Sequence, residues 1–146
     1  ALIGNPKLII VDEPTAGLDP AERNRFHNLL SEIGENTIVI LSTHIVEDVT
    51  NLCSQMAIIC LGEVVAKGNP NELVKSLEGK VFKKSIEKHE LNDYRENYQV
   101  ISTSLKMGKT QIRVIADESL EGFEAATPDL EDVYFSEITV RQGLAV

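Results

Sequence analysis

Hydrophobic positions in the first eighty residues alternate between two patterns. Short unbroken apolar runs, "KLIIVD" (7–12), "TIVILST" (37–43) and "QMAIICL" (55–61), are rich in β-branched residues and bounded by turn formers. Such runs predict strands buried on both faces, as in a parallel sheet. Between them the apolar residues recur at helical spacing. In "DPAERNRFHNLLSEIG" Phe26, Leu29, Leu30 and Ile33 form one stripe, with Asp19 as N-cap, Pro20 at the first helical position and Gly34 past the end. A second helix is expected from Ile45 to about Leu52. "EVVAKG" reads as a hairpin partner for the third run, and "NPNELVKSLEG" as a short helix with an Asn cap. Strands alternating with helices predict an α/β fold with a parallel sheet and right-handed crossovers.

After Gly79 the pattern changes. "KVFKKSIEKHE" mixes apolar and charged residues, "HELNDYRENY" reads as helical, and "YQVISTSLKMGKTQIRVIAD" as two strands joined at Met107-Gly108-Lys109. "TPDLEDVYFSEI" predicts a closing helix, capped at Thr127 or Asp129, that buries Leu130, Val133, Tyr134 and Ile138. The final "RQGLAV" is expected to fray. Residues 80–146 are thus expected to form a small α+β accessory domain, distinct from 1–79.

Composition narrows the function classes. A net charge of −9 argues against a general nucleic-acid surface, which needs a basic footprint, but leaves room for a nucleotide held by backbone N–H groups and a metal. Cys53 and Cys60 make neither metal-ligand spacing nor a disulfide framework; we expect them in the core and the protein in a reducing cytosol. His27 and His89 sit among polar helical residues and are expected to be solvated.

Asp12, Glu13 and His44 all fall at carboxyl ends of predicted strands, where ligands gather in open α/β sheets. Adjacent acids on a strand point to opposite sides. One can hold a hard cation such as Mg²⁺ while the other orients or deprotonates a water. A histidine beside a transferring phosphate can donate to developing charge. Each residue has a plain structural alternative: acids favour strand ends, a histidine after a strand can cap or face solvent, and Asp19 is fully accounted for as an N-cap.

Taken together, "LIIVDEPTAGLDP", a helix and "IVILSTH" closely resemble the ATP-binding-cassette (ABC) ATPases over residues 1–79. Leu8 to Asp12 match the Walker B strand, Glu13 the catalytic glutamate, Ala16-Gly17-Leu18-Asp19 the D-loop and His44 the switch histidine. The resemblance implies a P-loop NTPase fold binding ATP and Mg²⁺. It implies that Asp12 holds the metal through water, Glu13 polarises the hydrolytic water and His44 contacts the γ-phosphate. Gly17 and Asp19 would serve the D-loop, with Asp19 reaching across a dimer of two nucleotide-binding subunits. "TPDLEDVYFSEI" is similar to the closing helix of exporter-type subunits that partner separate membrane permeases; the ABC resemblance as a whole implies a homodimer at the inner face of the cell membrane, and the charge leaves no nucleic acid as partner. Two other roles fit the same residues: a soluble ABC ATPase acting in translation or DNA maintenance, or a regulatory or dimerisation module.

The family's phosphate cradle, G-x-x-x-x-G-K-[ST], and its Leu-Ser-Gly-Gly signature do not occur in this sequence. The expectation is a C-terminal piece of a nucleotide-binding subunit, starting at Ala1 in the tail "ALIGNP" of the signature helix and inactive by itself. The Walker A strand of such a sheet would lie between the runs at 37–43 and 55–61. Its absence is expected to leave two apolar edges that rejoin, pair across chains or lose order.

Overall fold

A computed structural model describes residues 6–142 and shows a mixed α/β chain with three small sheets. The chain divides into two compact units, Ala1–Ser54 and Gln55–Val146. The boundary expected at 79/80 falls inside the second of these. The segment "ALIGN" lies outside the described residues.

The first unit is a β-α-β-α run: β1 (Leu8–Asp12), α1 (Pro20–Gly34), β2 (Ile38–Ser42) and α2 (Val46–Leu52). β1 and β2 pair in parallel, from Leu8 opposite Ile38 to Asp12 opposite Ser42. α1 starts where its sequence says it should: the Asp19 carboxylate accepts from the Glu22 N–H at 2.8 Å, and Pro20 takes the first turn, where its missing N–H costs nothing. Gly34 is its last residue rather than the one beyond it.

Both strands were expected to be buried on two faces, and they are buried on one. Ile9 is in the core, but Ile10 and Ile38 are 70% and 67% exposed, with Leu8 and Ile40 also open. Side chains alternate along a strand, so one face carries the buried Ile9 and the other carries all four exposed residues. On α1, Leu30 is buried and Phe26 and Ile33 are partly buried, while Leu29 is exposed instead of joining their stripe.

The second unit opens with a hairpin, β3 (Met56–Cys60) and β4 (Glu63–Gly68). Its two turn residues, Leu61 and Gly62, both have positive φ (51° and 82°). That is the backbone hand that matches strand twist in a two-residue hairpin. The third apolar run was expected in the parallel sheet of β1 and β2. Within its unit it pairs antiparallel with β4.

α3 (Pro70–Lys75) follows, capped by Asn69. Then come β5 (Val81–Ile86), a short 3₁₀ turn, α4 (Leu91–Asn97), β6 (Gln99–Lys106), β7 (Lys109–Ile115), β8 (Glu124–Ala125) and α5 (Leu130–Gln142). Four strands form one antiparallel sheet in the order β6-β7-β5-β8, the two-residue β8 being an element its sequence does not announce. Phe82, Ile86, Val100, Ile112 and Val114 make its core, with Tyr94, Tyr98 and Phe123 packed against them. The register of β6 slips between Val100 and Ser102, and this bulge lets both Val100 and Ile101 be buried. On α5, Leu130, Val133 and Ile138 are buried as expected; Tyr134 is exposed. Arg141 and Gln142 continue the helix, and the last four residues lie outside the described part.

Candidate functional site

The acids at the end of β1 diverge as strand alternation requires. Asp12 faces its register partner Ser42, whose hydroxyl donates to Asp12 Oδ1. Glu13 turns the other way. Its backbone N–H donates to the Ser42 carbonyl at 2.8 Å, and its φ of 45° puts a non-glycine residue in the left-handed region. That conformation costs about 1–2 kcal/mol and persists only where the surroundings hold it.

Those surroundings are the segment after β2. His44 Nδ1 lies 2.7 Å from Glu13 Oε2, and the His44 backbone N–H donates to Oε1 at 3.0 Å. The Thr43 hydroxyl comes within 3.5 Å of the same carboxylate, and accepts from the Ile45 N–H at 3.0 Å. The Glu13 side chain is partly exposed and that of His44 largely so, which leaves the pair open to a ligand. Gly17 lies in the following turn with φ 78°, a conformation that suits glycine. Asp19 sits at the start of α1 with its carboxylate in the cap.

Sequence reasoning placed His27 in solvent. Instead it is buried on α1, with Nε2 3.0 Å from Oδ1 of Asp48, a wholly buried acid on α2. The other oxygen, Oδ2, accepts from the hydroxyl of Thr15, also wholly buried, in the turn after Glu13. A helical wheel sets both residues near apolar ones. His27 lies beside Leu30 at the border of the apolar stripe of α1, and Asp48 shares a side with Ile45, Val49 and Leu52.

Asp12 suits Mg²⁺ as a single carboxylate ligand: it is exposed and has one oxygen free of Ser42. Among the described residues no three His, Cys, Asp or Glu converge on a metal site. A lone carboxylate is the usual donor set for an Mg²⁺ ion that keeps its waters and bridges to phosphate.

An uncharacterised ABC transporter ATP-binding protein of Bacillus subtilis, YxlF, is 30% identical over 150 residues, covering 92% of this chain and 50% of that protein. The chain is similar to ABC transporter proteins. ABC transporter A family member 11 of Dictyostelium discoideum is 38% identical over 72 residues, 49% of this chain and 9% of its own length. The Nod factor export ATP-binding protein I of Cupriavidus metallidurans is 40% identical over 77 residues, 52% of this chain and 25% of its own. No protein-family model matches the chain. The chain thus spans half, or much less, of the length of these relatives. Among the described residues no helix is long and apolar enough to cross a membrane.

Proposed function

We propose that this chain is the part of an ABC transporter's ATP-binding subunit that carries the hydrolytic residues. The observation that carries the reading is the Glu13–His44 pair, two groups 31 residues apart that the carboxyl ends of adjacent parallel strands bring to 2.7 Å, one of them in a strained backbone. In this reading Glu13 orients and polarises the water that attacks the γ-phosphate, the role a carboxylate plays in phosphoryl transfer to water. His44 holds the Glu13 carboxylate through Nδ1 and its backbone N–H, and turns its other ring nitrogen to developing negative charge. Mg²⁺, held by Asp12 through water, would supply charge neutralisation on the phosphates. Gly17 and Asp19 form the D-loop turn, from which Asp19 meets a second nucleotide-binding subunit in a homodimer.

Residues 1–79 would belong to the C-terminal part of a P-loop NTPase sheet and 80–146 to an accessory domain. The export role named for the Cupriavidus relative and the "TPDLEDV" helix favour an exporter working with a separate membrane permease at the inner face of the cell membrane. This sequence holds no glycine-rich phosphate loop, so the cradle must come from other sequence and the chain alone would be inactive. ATP turnover by the isolated chain and by the complete subunit, with and without Glu13→Gln, tests this. We expect none from the chain, Mg²⁺-dependent turnover from the subunit, and a loss of about 100-fold or more in the variant. Turnover by the chain, or an unaffected variant, would refute the reading.

A further inference from the structure

Glu13 and His44 touch at the edge of the first unit. Two residues past Glu13 and four past His44, the same two segments meet again inside it. There Thr15 donates its hydroxyl to Asp48, and Asp48 contacts His27 with its second oxygen. Thr15 and Asp48 have no exposed surface, and the His27 side chain has little. A carboxylate in such a place costs several kcal/mol unless it is bonded on both oxygens, and this one is.

Local structure does not explain its position. Asp48 is the third residue of α2, where an acid commonly folds back to cap its own helix. The N-cap is Ile45, whose side chain offers no acceptor, and no side-chain bond caps that end. Asp48 spends both oxygens instead on chain segments 33 and 21 residues away. A fixed point thus joins the turn carrying the acids, α1 that follows it, and α2 that follows the histidine.

We propose that Thr15, Asp48 and His27 are positioning residues that lock the acidic turn to α2 and so set the distance and angle between Glu13 and His44. The consequence for turnover rests on the hydrolytic role proposed above for Glu13. Without the lock, the left-handed Glu13 is held by its bonds with Ser42 and the segment at 43–44 and by the Ala16 N–H of its own turn, which donates to its carbonyl at 3.2 Å. The turn can then relax, and a small misplacement of the water-orienting carboxylate slows the chemical step more than it weakens nucleotide binding.

The complete subunit carrying Thr15→Val, Thr15→Ser or Glu13→Gln provides the test, with kcat and KM for ATP measured for each. Thr15→Val keeps the shape and removes the donor; it should lower kcat at least tenfold and leave KM within twofold. Thr15→Ser restores the hydroxyl and should return kcat to within threefold of the parent. Should Thr15→Val not fold because one buried oxygen of Asp48 loses its donor, Thr15→Val/Asp48→Asn removes the buried charge and carries the same expectation. Parental kcat in the variant lacking the hydroxyl overturns the proposal, and so does a serine variant no better than valine. If Glu13→Gln is inactive in that case, only the lock fails; if Glu13→Gln turns over normally, the hydrolytic reading itself falls.

Discussion

At the scale of single residues, the sequence exposes the acids and hides what holds them. Asp12 and Glu13 are legible because two charges end an apolar run, and strand alternation correctly separates them. The left-handed backbone of Glu13 is not legible, since nothing in "VDEP" demands it. Polar neighbours in the sequence hide His27, which borders the apolar side of its helix, and nothing in the spacing singles out Asp48. The contact of Glu13 with both the ring and the backbone of His44 gives a graded expectation. In the complete subunit, His44→Ala should cut kcat by about 10²–10³-fold, the usual effect of losing one donor to developing charge. Steady-state turnover at saturating ATP checks it. Cys53 offers a second test. Burial, and after it the charge of Asp48, push its thiol above the ordinary range. The unfolded chain therefore gives up this proton at lower pH than the folded one, and stability falls as pH rises through the unfolded thiol's range toward the folded value. Denaturant unfolding of the isolated chain between pH 8 and 10 should show that decline, and Cys53→Ala should flatten it.

At the scale of elements, pattern identified most of the helices and strands but not their partners. "TPDLEDV" reads as a capped amphipathic helix, and so it is. Its acid Asp132 does more than start the helix. Arg113 on β7 donates to it through Nε at 2.7 Å and through Nη2, and Nη2 also reaches the Thr127 carbonyl at 2.9 Å. Asp132 and Asp129 exchange backbone-to-side-chain bonds as well, at 3.0 Å each. The neighbouring carboxylates raise the already high Arg113 pKa, first through the bond to Asp132, so the guanidinium stays charged at any physiological pH. Removing one partner strands a buried charge. We expect Arg113→Ala to destabilise the second unit by about 3 kcal/mol, and Arg113→Lys to recover only part, because an ammonium cannot copy the two-pronged guanidinium. Guanidinium unfolding followed by circular dichroism measures both. No spacing in the sequence links residue 113 to 132; only folding brings them together.

At the scale of the whole molecule, the largest departure from expectation is how much apolar surface the first two strands leave open. The runs at 7–12 and 37–43 have the composition of strands covered on both faces, but Leu8, Ile10, Ile38 and Ile40 face solvent. An apolar run reports how much a strand could bury, not which other element is present to cover it. For the third run, the neighbour the structure shows is its local hairpin partner β4, the one its sequence announces. If the complete subunit restores the expected sheet, the two contexts should differ. Ile10→Thr should change the stability of the isolated chain by no more than about 0.5 kcal/mol, yet destabilise the complete subunit by about 1–3 kcal/mol. Parallel denaturation of the two forms compares them.

Most of this account hangs on one pair of side chains, and a single turnover interrogates it. The complete subunit carrying Glu13→Gln is loaded with ATP and Mg²⁺, and phosphate release is followed over one turnover. We predict that ATP stays bound and uncleaved in a closed dimer. A burst of phosphate at the parental rate would contradict the central claim.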